Sequence, residues 1–148
     1  MVQDPWLRTA YSYLYIRNFD KALDSFRRAM DSDPTNPEYR FHASITAFRS
    51  GLTDLARQWG QEAVDLDPES ELYRQHLGVV QSKQWVTEGV AAETRGELEV
   101  AIDAYGEAVQ ADPFNQEAHE LLQSALYQRF EQANEHDSDT HGKGEYDV

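Results

Sequence analysis

The sequence predicts an all-α solenoid of three antiparallel helix pairs with a C-terminal capping helix, and three observations carry that reading. One small-residue pattern recurs: Ala22, Phe26, Ala29, then Ala56, Gly60, Ala63, then Ala101, Tyr105, Ala108. Each copy closes on Asp-Pro, at Asp33-Pro34, Asp67-Pro68 and Asp112-Pro113, always at the same offset from its first alanine. Pro34 and Pro68 stand 34 residues apart, room for two short helices and their turns. Residues spaced by three and four share one face of a helix, so each copy offers a stripe on which a second helix can lie close. Proline disfavours α geometry in the residue before it, which makes each Asp-Pro a stop.

The first helix is expected over Gln3–Arg17, with Asp4 as its cap and Pro5 at the first helical position, where a missing N–H costs nothing. Trp6, Ala10 and Tyr13 line one side and Leu7, Tyr11, Leu14 and Tyr15 another, so the helix needs two neighbours, or one neighbour and a ligand. Phe19–Ser32 forms the second helix. Asn36-Pro37 repeats the cap-plus-proline start for a third, about Pro37–Arg49, stopped at Gly51. Thr53 is expected to cap a fourth, running to Leu66. Asn115 caps the last, 116–132, with Leu121, Leu122, Ala125 and Leu126 inward as the closing layer of a solenoid. The acidic stretch 133–148 has no apolar period and is expected to be a disordered tail.

Pro68 and Pro113 stand 45 residues apart, eleven more than the period. Eleven residues make almost three turns, so a helix absorbs them with its faces nearly in phase. One long helix from Glu71 to about Arg95 is therefore expected, about 36 Å at 1.5 Å per residue. A kink at Gly78 that folds the extra turns back is the alternative. Part of a long helix would outrun its partner, exposing either Leu72, Leu77, Val79 and Val80 or Trp85, Val86 and Val90. An apolar patch of that kind calls for a cover, such as a second copy of the chain.

The period and the pattern resemble the tetratricopeptide repeat family, whose unit is a pair of antiparallel helices. Trp6, Ala10, Tyr13, Phe19, Ala22, Phe26, Ala29 and Pro34 match the family's landmarks in a first copy, with Arg17 where the family has glycine. Ala43, Ser44, Ala47, Gly51, Ala56, Ala63 and Pro68 match in a second, with Gly60 replacing an aromatic. Trp85, Gly89, Ala92, Gly96, Leu98, Ala101, Tyr105, Ala108 and Pro113 match in a third. The resemblance covers Gln3 to about Phe130. It implies a right-handed superhelical domain over 1–132, with repeats at about 3–36, 37–70 and 71–115, the last carrying the eleven-residue insertion.

The 148 residues hold 13 Lys+Arg against 27 Asp+Glu, a formal charge of -14. Such a field repels phosphate, so nucleic acid and an anionic membrane surface are not expected as partners. With no cysteine there is no disulfide, thiolate metal site or thiol nucleophile. No apolar run approaches spanning length and the start lacks a signal-peptide pattern, so a cytoplasmic protein is expected. The histidines, His42, His76, His119, His136 and His141, form no zinc-peptidase pair. His136, Asp137, Asp139 and His141 would hold a metal only after ordering the tail. The Asp-x-Asp-Pro runs lack the Gly and distal Glu of a calcium loop. No phosphate loop or nucleophile elbow occurs. Neither an enzyme nor a cofactor is expected.

What remains is surface. The resemblance implies that the first helices of the pairs line a concave groove, and at its lining positions stand Arg8, Tyr11, Tyr15, Phe41, His42, Phe48, Arg49, Lys83, Val86 and Val90. Aromatics beside arginine are the residue types that dominate interface energetics. The groove is expected to bind a protein or peptide segment with apolar anchors and one acidic group. The aromatics could instead close on one another, which is the preferred reading for Leu7 and Ile45. Some family members grip a C-terminal carboxylate through a Lys/Asn/Asn/Lys/Arg set; Leu7, Tyr11 and His42 stand at matching positions here, so that clamp is absent. The second expectation is a homodimer through the elongated third pair, by way of Leu72, Leu77, Val79 and Val80.

Overall fold

The structure, a computed structural model, describes residues 5–142, with side chains over 5–139. Seven helices follow one another: α1 Pro5–Tyr15, α2 Phe19–Ser32, α3 Pro37–Arg49, α4 Thr53–Leu66, α5 Glu71–Thr94, α6 Leu98–Ala111 and α7 Gln116–Gly142. Among the described residues there is no strand. The described residues divide into two compact units, with the boundary between Gln81 and Ser82 inside α5. The eleven extra residues lengthen α5, which is a single helix of 24 residues through Gly78. The expected cap at Asp4 lies outside the described residues.

In the first unit α1 packs on α2, α2 on α3 and α3 on α4. The expected stripes supply the interior: Ala10, Ala22, Ala29, Ala43, Ala47, Ala56 and Ala63 have no exposed surface. Small side chains let backbones approach, and larger ones then fill what is left. Here Phe26, Leu23, Tyr39, Trp59 and Val80 do so, joined from α1 by Leu7. Arg40 ties α3 to α4 by donating from Nε to Glu62 Oε2 at 3.0 Å, while its Nη1 donates to the Pro34 carbonyl at 2.7 Å. In the second unit α6 packs on α7. Tyr105 is the largest fully buried side chain, clustered with Ala92, Ala101, Ile102 and Ala125. Ser82 Oγ donates to the Ala108 carbonyl at 2.8 Å and accepts from Asn115 Nδ2 at 2.8 Å. Asn115 thus joins α5 to the start of α7 while its Oδ1 caps α7 by accepting from Ala118 N–H at 3.1 Å.

Two turn types alternate. After each Asp-Pro the geometry repeats: Asn36, Ser70 and Asn115 N–H donate to the carbonyls of Asp33, Asp67 and Asp112. Within each pair the helix ends in a left-handed residue, Arg17 at φ 59°, Gly51 at 79° and Gly96 at 77°. The next N–H then closes back, Asn18 to the Tyr13 carbonyl, Leu52 to Ala47 and Glu97 to Ala92, each at 2.9 Å. Arg17 therefore holds, with a Cβ, a conformation its two counterparts leave to glycine. The left-handed region costs a side-chain-bearing residue roughly 1–2 kcal/mol, offset in part by glycine's greater unfolded freedom. Arg17→Gly should stabilise the chain by about 1 kcal/mol in urea unfolding; a loss of stability would mean that the arginine makes a compensating contact.

Three expectations change. The cap of α4 is Leu52 and makes no side-chain hydrogen bond; Thr53 is already helical. Leu126 of the closing layer is at the surface, whereas Ala125 is buried and Leu121 and Leu122 are partly so. And α7 does not stop at Gln132: it continues to Gly142, although the tail was expected to be disordered from residue 133. No proline or glycine interrupts 133–141. Extending an existing helix costs far less than nucleating one, so a weak helical sequence is carried by the packed turns before it. Residues 143–148 lie outside the described ones.

Candidate functional site

In the first unit the expected groove residues resolve into an aromatic strip across α1, α3 and the start of α5. The Tyr11 ring meets His42 edge-on at 5.5 Å and Phe26 beneath it at 6.0 Å. His42 meets Phe41 at 5.4 Å, and Phe41 lies against Tyr73 at 4.8 Å and His76 at 5.4 Å. Edge-to-face pairs at such spacings add about 0.5–1.5 kcal/mol beyond their burial and fix ring orientations. The strip is a rigid wall.

Its residues differ sharply in what they present. Tyr15, at the end of α1, is 91 % exposed; Tyr11 is 40 % exposed and Phe41 only 8 %. Arg8, Tyr11, Ser12 and Tyr15 enclose a shallow hollow of about 420 Å³ on α1. Arg8 and Arg49 are exposed, and neither makes an ion pair among the described residues. His42 Nε2 stands 3.5 Å from Glu38 Oε1, an ion pair whenever the ring is protonated. Burial, and after it the Glu38 carboxylate, push the Tyr11 hydroxyl above its ordinary pKa; burial, Glu38 and Asp67 do the same for Tyr73. Both phenols therefore stay neutral donors.

His76 closes the inner end of the strip. Ser44 Oγ lies 2.6 Å from the Ala56 carbonyl and 2.7 Å from His76 Nε2. A carbonyl only accepts, so the serine proton goes to Ala56 and Nε2–H must donate to Ser44. Burial holds the His76 pKa below its ordinary value. The pair occupies space beside Gly60, whose Cβ, were there one, would meet Ser44 Oγ at 3.1 Å.

Several expected residues stand elsewhere. Phe41 belongs to the interior rather than to an open lining, because Tyr73 and His76 cover it. Phe48 is half-buried against the core of the first unit. In the second unit Lys83 and Val90 are exposed but Val86 is buried, packed with Ala108 and Ala118. Of the residues expected to form a self-association patch, Leu72 and Val79 are exposed, while Leu77 and Val80 are buried. The apolar side of α5 was expected to project, but half of those four residues instead make core.

Tyr73 and His76 are absent from the expected lining because the eleven-residue insertion obscures the register of the third copy. Counting forward one period from His42 lands on His76, so the same groove register was present in the sequence. Among the described residues no group of three or more His, Asp or Glu could hold a metal ion. Of the tail's candidate ligands, the His141 side chain lies outside them. No helix of the described residues is long and apolar enough to cross a membrane.

The tetratricopeptide repeat family profile matches residues 7–71. No curated protein matches the sequence. Among solved structures, MamA from Desulfovibrio magneticus RS-1 (residues 41 to its end) is similar at 16 % identity, covering 97 % of this chain and 96 % of that one, with a TM-score of 0.51. A MamA RS-1 ArsTM double mutant is similar at 17 % identity over 90 % and 89 %, TM-score 0.51. The first TPR of Spaghetti (RPAP3), bound to the HSP90 peptide SRMEEVD, is similar at 22 % identity over 82 % and 88 %, TM-score 0.47. At these identities the likeness concerns the fold.

Proposed function

We propose that this chain, whose residues 7–71 match the tetratricopeptide repeat family, is a non-catalytic module which binds a protein segment along the aromatic strip of its first unit. The observation that carries this is Tyr15, 91 % exposed beside the partly exposed Tyr11 and the exposed Arg8 on one face of α1. An aromatic held open to water on a rigid helix is a costly residue for solubility and an effective one for binding. Tyr11 and Tyr15 offer flat apolar faces, and Arg8 and Arg49 offer guanidinium forks for a carboxylate. The segment that fits carries an aromatic or aliphatic anchor with an acidic group near it, docking on preformed side chains with little ordering cost. A charge of -14 disfavours nucleic acid and anionic lipid as the occupant. A homodimer through α5 has less to recommend it, because Leu72 and Val79 alone make too small a patch for a stable interface.

The test is affinity capture with the full chain from native lysate, against an Arg8→Glu/Tyr15→Ser variant. Both residues are exposed, so helicity and unfolding midpoint should not change. Capture should fall by a factor of about 30 or more, the effect of losing a hot-spot aromatic. Undiminished capture would remove the strip as the binding surface.

A further inference from the structure

We infer that the second unit carries a separate docking trough, built for a basic amphipathic helix of a partner protein. Between α5 and α6 lies a concavity of about 450 Å³. At its base is the buried Ala104, with the exposed Ala91 beside it, both small enough for a partner side chain to enter between the helices, and Trp85 and Val100 line it with larger groups. Trp85 is 36 % exposed and Val100 51 %, so two large apolar groups face water across a cleft that no described residue of this unit fills. Around them stand Glu88, Asp103 and Glu107, all exposed and, among the described residues, without an ion-pair partner.

The rim charges select the occupant. Arg95 is the one cation among the lining residues, and it is already engaged by both oxygens of Glu97 at 3.3 Å. A segment entering the trough therefore meets three free carboxylates around an apolar floor. Lysine or arginine flanking a leucine-like anchor satisfies both, the charges at the rim and the anchor in the floor. An acidic segment would be repelled, and a polyamine would leave the floor empty. A second copy of this chain is a poor candidate, since it brings 27 acidic residues against 13 basic ones.

The probe is a synthetic Leu/Lys amphipathic peptide of about 18 residues, long enough to be helical once bound. Titrated into the isotope-labelled full chain, it should shift the amides of Ala91, Val100 and Ala104. A Glu88→Lys/Asp103→Lys/Glu107→Lys variant should bind roughly tenfold more weakly, three rim pairs being lost. A Glu131→Lys/Glu135→Lys/Asp139→Lys variant carries the same change in net charge on α7 and should bind within about twofold of the unaltered chain, because none of the three lines the trough and exposed charges outside it are screened. Equal losses in the two variants would reduce the effect to general attraction and overturn the site. Shifts of the same amides on concentrating the protein alone, with a dimer in sedimentation, would make the occupant a second copy and overturn the partner. The Arg8→Glu/Tyr15→Ser variant should bind the probe as the unaltered chain does, so failure of the strip and of the trough are read separately.

Discussion

Gly89→Ala should destabilise the protein by about 3 kcal/mol, the upper range for overpacking a core, although the same change in an exposed helix would stabilise it by up to about 1 kcal/mol. The reversal of sign comes from one contact. Gly89 is buried in α5 against the flat of the Tyr105 ring, and a Cβ there would overlap the ring, reaching its Cδ1 at 2.6 Å and Cζ at 3.0 Å. The ring has nowhere to go, since it has no exposed surface and lies among Ala92, Ala101, Ile102 and Ala125. Either the helices part or the ring leaves its rotamer. Gly106→Ala in α6 is the control, because nothing lies within 4 Å of the added Cβ; it should be neutral or mildly stabilising. Tyr105→Leu supplies the second arm. It removes the colliding atoms together with a buried hydroxyl whose pKa burial, and after it Glu93, push up to about 12. In that background Gly89→Ala should lose most of its cost, a coupling of about 2 kcal/mol in urea unfolding. Equal costs in both backgrounds would show that the glycine matters for some reason other than the ring.

The same contact shows how far the sequence could be read. The position pairing of Gly89 with Tyr105 is visible as a repeat landmark, because both residues act within one helix pair and the spacing between them is fixed by the turn. The sequence-derived helix boundaries, the Asp-Pro turns and the lengthened α5 were legible for the same reason: each rests on residues near in sequence. Gly60 was legible only as a gap, an absent aromatic. What fills it is Ser44 with Leu77 and His76, the histidine 32 residues beyond the serine it bonds, and no local pattern announces that residues so far along the chain will complete another pair's core. Phe41 failed in the same way. Its register placed it on the groove face, but whether that face is open depends on Tyr73 and His76 in a helix whose own register the insertion obscured. Arg17 was visible as a departure from glycine, yet the cost of the departure lies in a backbone angle rather than in side-chain chemistry. The helical extension past Gln132 was missed because composition argues for disorder, whereas continuation from a packed helix needs only the absence of a breaker.

Mild acid should loosen the first unit through His76. Burial lowers its folded pKa below the ordinary value of 6.5 that the unfolded chain retains. Between those two values the unfolded state binds the proton and the folded state does not, so stability rises with pH there. The full contribution is present above 6.5 and is lost as the pH falls below it, at up to about 1.4 kcal/mol per pH unit until the folded pKa is reached. The structural reason is the tautomer. Nε2–H already donates to Ser44, so an added proton goes to Nδ1 and charges a partly buried ring that stands edge-on to Phe41. Most carboxylates titrate lower, near pH 4, which leaves the interval from about 7 to 5.5 to the histidines. His76→Gln can keep a donor toward Ser44 without the titration. The unfolding free energy of the unaltered chain should drop across that interval and that of His76→Gln should stay level; parallel slopes would assign the acid sensitivity to another group. Ser44→Ala, compared at pH 7.5, should cost about 1–3 kcal/mol, because it strands the buried imidazole N–H. If it costs nothing, the serine is not what holds the ring in place, and the space left by Gly60 is filled by packing alone.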